Sequence, residues 1–186
     1  MSPRRSIRPR VFPALLSALL LFSGGALAAE PPPGGGFSPP VDCVPGRDCW
    51  VMNYPDMDPG PDVADPACGA RSYDGHKGTD FAVRDIAAMR RGVAVLAAAP
   101  GIVRRVRDGV ADRLIRSAAD LEAVAGRDCG NGVVIDHGKG WETQYCHMRR
   151  GSLAVAPGDI VRRGQALGSI GLSGRTEFPH LHIAIR

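Results

Sequence analysis

From Thr79 onward the chain is written in short apolar and β-branched runs, each broken by turn residues: TDFAV, VAVLAA, IVRRVRD, GVVID, WETQYCHM and GDIVRRGQALGSIG. Short strands at such spacing indicate an antiparallel sandwich or barrel. The clearest unit is a hairpin, in which GVVIDHG passes through Gly138-Lys139-Gly140 into WETQYCHM. Two short helical pieces interrupt the strands. One covers about Asp85 to Arg91, between an N-cap aspartate and Gly92. The other covers about Ala118 to Ala125, opened by Ser117 with Asp120 three residues on and closed by Gly126. This second piece sits in an insertion between two strands. Substrate-binding loops are found in such places, though insertions are also tolerated there without function.

The N-terminus is of a different kind. MSPRRSIRPR is cationic, VFPALLSALLLF is apolar, and Ala26-Leu27-Ala28 offers a small-x-small cleavage site. Residues 1–28 therefore read as an excised signal peptide. The apolar run is too short for a membrane span and contains Pro13, so no stable membrane insertion is expected after cleavage. Arg4-Arg5 fits a twin-arginine signal and an ordinary cationic start equally well. The chain carries 23 Lys and Arg against 19 Asp and Glu. Arg4, Arg5, Arg8 and Arg10 account for the surplus, so nothing in the exported part points to nucleic acid. About 160 residues then remain, enough for one domain with its own core.

Residues 29–40, containing EPPPGGGFSPP, read as a Pro/Gly linker with no capacity to pack. Residues 41–72 hold cysteines, prolines and aspartates and are expected to form irregular, disulfide-tied structure. The domain proper is expected over residues 73–186. Five cysteines suit an exported, periplasmic or secreted protein. Folding the hairpin about Lys139 brings Cys129 to Cys146, predicting a disulfide there. A Cys49–Cys68 bridge is the expected second, leaving Cys43 over. A partner for Cys43 in a missing C-terminal piece would explain the odd number, and the domain is expected to be incomplete beyond Arg186.

The chemistry lies in the histidines. The chain has five, and His180-Leu181-His182 places two of them on one side of a strand, about 7 Å apart. Two exposed histidines on a strand can also be coincidence. In YDGHKGTDF, His76 and Asp80 are four residues apart. An extended Lys77–Thr79 would put both on one face, with Gly78 leaving room for a close approach. Zinc takes imidazole nitrogen and carboxylate oxygen, and a catalytic site keeps three protein ligands and an open position. His76, Asp80 and one member of the His180/His182 pair supply that count. The other member, and His147 in TQYCHM, are then free for proton transfer or charge stabilisation.

These residues resemble the lysostaphin-type (LytM-like) zinc metallopeptidases, which cut peptidoglycan peptides. The family's HxxxD motif is matched by His76-Lys77-Gly78-Thr79-Asp80 and its terminal HxH by His180-Leu181-His182. Its aromatic-x-His strand after an HG turn is matched by HGKGWETQYCHM, and its glycine-rich approach by VAPGDIVRRGQALGSIGLSGRTEFPHLH. The resemblance covers Tyr73 to the C-terminus. It implies a mainly β fold, a compact antiparallel sheet groove or barrel-sandwich of the duplicated hybrid motif type. It also implies one zinc ion per chain held by His76, Asp80 and His182, with His147 and His180 flanking the reacting water as catalytic residues. The implied reaction is hydrolysis of a peptide cross-link or stem peptide in peptidoglycan by a protein expected to be a monomer. Glycine usually precedes the family's Pro-His-Leu-His, whereas Phe178 stands here, which bears on groove width. Cys146 replaces a usual small residue and fits a disulfide-bearing branch.

Other residues near these motifs carry weaker readings. His137 reads as structural. Cys146 reads as a disulfide partner facing away from His147, and Tyr145 as either groove lining or core. Asp136 and Glu142 read as solvated charges, while Glu177 is a candidate for touching substrate. Asn53 is a candidate for folding over the cleft and capping the open zinc position. Two rivals remain. A non-catalytic wall-binding or hydrolase-activating relative would have lost one or more of the five residues, and all are present. A sugar-phosphotransferase carrier domain, with a related β-fold and a histidine pair, would be cytosolic and need neither zinc nor an export signal.

Overall fold

The computed structural model describes residues 35–186, and the expected signal peptide lies outside them. In chain order the elements are β1 (Cys49–Asn53), β2 (Thr79–Val83), α1 (Ile86–Arg91), β3 (Ala94–Leu96), β4 (Gly101–Arg107), α2 (Ala118–Ala123), β5 (Asn131–Gly138), β6 (Trp141–Met148), β7 (Ile160–Val161), β8 (Ala166–Ser169) and β9 (His180–Ile185). Seven strands form one antiparallel sheet in the order β1-β2-β9-β6-β5-β4-β7, and β3 pairs with β8 in a small second sheet. The large sheet is open. The protein is mainly β, as expected, with a sheet groove and no closed barrel.

One face of the large sheet makes the core. Ile135, Tyr145 and Leu181 pack with Val95, Leu167 and Ile170 around β3 and β8, all of them fully buried. In β9, Leu181 and Ile183 point into this core while His180 and His182 point to the opposite, groove face. Both helices stand where the caps predict. Asp85 accepts from the Ala88 N–H and Ser117 from the Asp120 N–H.

Tyr145 belongs to the core. His137, read as structural, is tied into a buried chain of hydrogen bonds with it. His137 Nδ1 donates to the Pro100 carbonyl (2.8 Å), so its Nε2 accepts from the Thr143 hydroxyl (2.7 Å). The Thr143 hydroxyl is then left to accept from Tyr145 (3.2 Å), whose oxygen accepts from the Ala98 N–H (2.8 Å). Every proton has one place to go.

Two expectations are corrected. Cys129–Cys146 forms as expected, but the second bridge is Cys43–Cys49, and the free, exposed cysteine is Cys68. The turn through Pro45 and Gly46 brings Cys43 back onto Cys49, six residues on. Cys68 instead occupies a turn built around Asp65, whose carboxylate accepts from the N–H groups of Ala67, Gly69 and Arg71. Carboxylates rather than a disulfide organise that stretch. The second correction concerns the linker, whose described part packs. Phe37 meets His137 and Trp141 edge-on, with ring centroids 5.4 and 5.8 Å apart. The Ser38 N–H donates to the Ala98 carbonyl, and the Pro40 carbonyl accepts from the Leu96 N–H. One aromatic anchor and the backbone polar groups of a proline-rich segment suffice.

Candidate metal centre and its groove

Cross-strand register assembles the site. Asp80 on β2 lies opposite His182 on β9, and His182 lies opposite Cys146 on β6. On the other side Asp80 pairs with Asn53 on β1. Asn53, Asp80, His182 and Cys146 therefore form a row across four neighbouring strands, all on the groove face. His180, two residues before His182, sits one row along, opposite Ala82.

His76 comes from the loop before β2, and a carbonyl aims it. A carbonyl oxygen can only accept, so His76 Nδ1 donates to Tyr54 O at 2.8 Å and Nε2 is left with its lone pair facing the site. Tyr73 stacks on the same ring at 4.3 Å. The close approach expected at Gly78 is made by β9 itself. A Cβ at Gly78 would lie 2.7 Å from the His182 ring and would strike the Ile183 carbonyl.

Three donor atoms converge. His76 Nε2 is 3.2 Å from Asp80 Oδ1 and 3.1 Å from His182 Nδ1, and His182 Nδ1 is 2.9 Å from Asp80 Oδ1. A tetrahedral ion with bonds of about 2.0–2.1 Å separates its ligand atoms by about 3.3 Å, so the spacing fits. So does the chemistry, since a carboxylate oxygen and imidazole lone pairs meet with too few protons among them and call for a cation. Asp80 Oδ2 accepts from the Asn53 side-chain amide at 2.8 Å, which orients the carboxylate. Burial alone would raise the Asp80 pKa, but the adjoining His182 and His76 rings and the nearby His180 hold it far below the usual carboxylate range. Burial works against His76 too, yet Asp80 and the Tyr54 carbonyl raise it above its ordinary value. Asn53, expected at most to cap an open metal position, instead holds the Asp80 carboxylate by its other oxygen.

His147 and His180 face this cluster, with ring centroids 4.7 Å apart. His147 Nδ1 donates to Ser173 O at 2.8 Å and His180 Nδ1 to Phe178 O at 2.8 Å, with the Thr176 hydroxyl 3.1 Å from the latter nitrogen. Each ring thus presents Nε2 as an acceptor. His180 Nε2 lies 3.7 Å from Asp80 Oδ1. Burial, helped by the neighbouring His180, pushes His147 down to about 3, and burial likewise lowers His180, so both rings are neutral near pH 7. Phe178, the departure from glycine, stacks on His180 at 4.4 Å and supplies the carbonyl that fixes its tautomer.

His147 reaches the site by breaking strand alternation. Its φ is +62°, and the β5–β6 register gains one residue on β6 between Tyr145 and Met148. This bulge lets His147 and Cys146 both line the groove, where alternation had placed them on opposite faces. The Cys129–Cys146 disulfide and the His147 N–H bonded to Cys129 O (2.8 Å) hold the bulge.

The groove encloses about 900 Å³. Asn53, Tyr73 and Glu177 line it, together with Ile115 and Leu121 from the insertion carrying α2. Gln144 and Cys146 make the floor. Asp136 and Glu142 lie outside it, in loose ion pairs with arginines.

Residues 74–186 match Peptidase family M23. A stretch of 53 residues is 45% identical to the peptidoglycan DD-endopeptidase ShyA of Vibrio cholerae, covering 28% of this chain and 12% of that protein. Another of 57 residues is 42% identical to the DD-carboxypeptidase/endopeptidase Mpg of Neisseria meningitidis, covering 31% of this chain and 13% of that protein. The matched segment thus spans a small part of either relative. Among solved structures, a mutant catalytic domain of the prophage-encoded M23 protein EnpA from Enterococcus faecalis is similar with a TM-score of 0.51, over 77% of this chain and 84% of that one. At 22% identity this likeness is one of fold.

Proposed function

The chain belongs to peptidase family M23, and from that premise we propose that it is an exported zinc-dependent endopeptidase acting on the peptide cross-links or stem peptides of peptidoglycan. The observation that carries the reading is the convergence of His76 Nε2, Asp80 Oδ1 and His182 Nδ1 within 3.2 Å of one another, beside two neutral histidines that present acceptor nitrogens. His76, Asp80 and His182 would hold the ion. When bound, zinc supplies Lewis acidity toward a water and toward the scissile carbonyl.

The rest is done by side chains of this protein. The groove takes an extended peptide over Gln144 and Cys146 and presents one amide to the cluster. His180 Nε2 and His147 Nε2 are the proton acceptors in reach, and both are neutral at working pH. One takes the proton of the attacking water. The protonated ring then gives it to the departing amine. The two disulfides suit an oxidising compartment outside the cytosol.

Zinc-loaded protein incubated with purified peptidoglycan is expected to release new peptide termini, read by mass spectrometry. These should vanish under chelation and in His180→Ala, which keeps the three ligands. One zinc per chain with no products in the wild type would replace this reading with a wall-binding one. A folded protein that takes up no zinc would remove both.

A further inference from the structure

The groove continues past the metal cluster. Cys129 and Gln144 border it, and both also line a second depression of about 310 Å³ that opens over β4 and β5. Its floor is flat because Gly132 has no side chain. A Cβ there would strike the Tyr145 carbonyl and lie 3.2 Å from Cys129 Sγ. Its rim carries Arg105 and Arg107. The register places Arg107 opposite Gly132 and Arg105 opposite Val134, whose other neighbour is Gln144.

The charge here is lopsided. Arg104 sits 3.6 Å from Asp136, while Arg105 and Arg186 share Glu142 at 3.9 Å each. Asp108, next along, is turned to the Gly151 N–H. Arg107 reaches only a carbonyl, Gly130 O, at 3.5 Å. Among the described residues these four arginines therefore share two carboxylates, and Arg107 is the one of the four that pairs with no acid. A planar fork of donors beside a flat floor suits a carboxylate.

We propose that this second depression is a carboxylate-binding subsite for the substrate, with Arg107 as the forked contact and Arg105 beside it. Two strands, β6 and β5, lie between β9 and β4. Three strand spacings of about 4.8 Å set Arg107 about 14 Å from His182, or about four residues of extended chain. The ligand is thus the acidic arm of a peptide whose cleaved amide lies about four residues away. The proposal rests on the peptidase reading for the identity of that peptide.

The test uses the full exported chain carrying His180→Ala, so that substrate is bound and not consumed. The probe is a cross-linked stem-peptide dimer from purified peptidoglycan, with carboxylates free or amidated, and affinity is read by calorimetry at low salt. Amidation is expected to weaken binding about three- to tenfold. Arg107→Gln should do the same, and the two changes together should cost little more than either alone. Arg107→Lys should fall between, because it keeps the charge and loses the fork. Effects that multiply independently, or no effect of Arg107→Gln, or no binding of the dimer, would overturn the subsite. Its failure is separable from that of the hydrolase reading. Cleavage by the wild type without Arg107 coupling removes the subsite alone, and Arg107 coupling without cleavage removes the peptidase alone.

Discussion

Strands β9 and β6 both deliver histidines to the groove, and they do it differently. β9 is regular. His180 and His182 follow the two-residue period, and pairing with β2 sets His182 against Asp80 at no conformational cost. β6 is bulged. His147 sits at φ +62°, a region that L side chains rarely enter, and is held there by a disulfide, by its N–H bonded to the Cys129 carbonyl and by its ring bonded to the Ser173 carbonyl. Two of the three proposed metal ligands thus stand on ordinary sheet geometry, whereas one of the two proposed proton-transfer groups depends on a clamped distortion. Damage to the first should remove the metal, and damage to the second should spare it.

The largest effect should come from Asp80, whose Oδ1 is shared by His76 and His182. Asp80→Ala is expected to abolish metal binding and activity together, as read by elemental analysis and by product formation. Next, His147→Ala and His180→Ala should each lower kcat by about 10²–10⁴ while zinc stays near one per chain. Loss of zinc in His147→Ala would erase the distinction between the two strands.

That distinction bears on what the sequence could tell. Part of the cluster was readable: HxxxD and HxH single out His76, Asp80 and His182, and two-residue alternation puts His180 and His182 on one face, whereas the β2–β9 pairing that joins Asp80 to His182 spans 102 residues. The bulge was not, since one added residue turns His147 to the same face as Cys146 and no glycine marks it. Cys43–Cys49 was signalled by the Pro45-Gly46 turn, but the longer Cys49–Cys68 span drew the pairing away from it. Phe178 read as a matter of groove width, and its stacking on His180 depends on a loop that folds back on its own strand. Phe37 lay inside a composition that does not pack by itself.

Removing the clamp tests the bulge directly. The Cys129–Cys146 loop spans 17 residues, so the double serine variant should lose about 3 kcal/mol by urea unfolding. Its activity should fall by more than its zinc affinity. A pH dependence of comparable size follows from burial. His147 is held down to about 3 against about 6.5 when unfolded. Below pH 6.5 the unfolded chain therefore takes up a proton that the folded chain refuses. Stability of the metal-free protein should fall as pH drops from 6.5 toward 3, by up to about 1.4 kcal/mol per pH unit, with no slope from this group above 6.5. His147→Gln should flatten that part of the curve.

The smallest effect isolates the backbone itself. His147→Ala and His147→Gly both remove the imidazole and both should be inactive. Alanine keeps the Cβ that makes φ +62° unfavourable, and glycine does not. If β6 stores strain at this residue, the glycine variant should be more stable than the alanine variant by about 1 kcal/mol, the reverse of their order in a regular strand. Equal stabilities, or alanine ahead, would mean that the bulge is relaxed and that the clamp fixes only the direction of the ring.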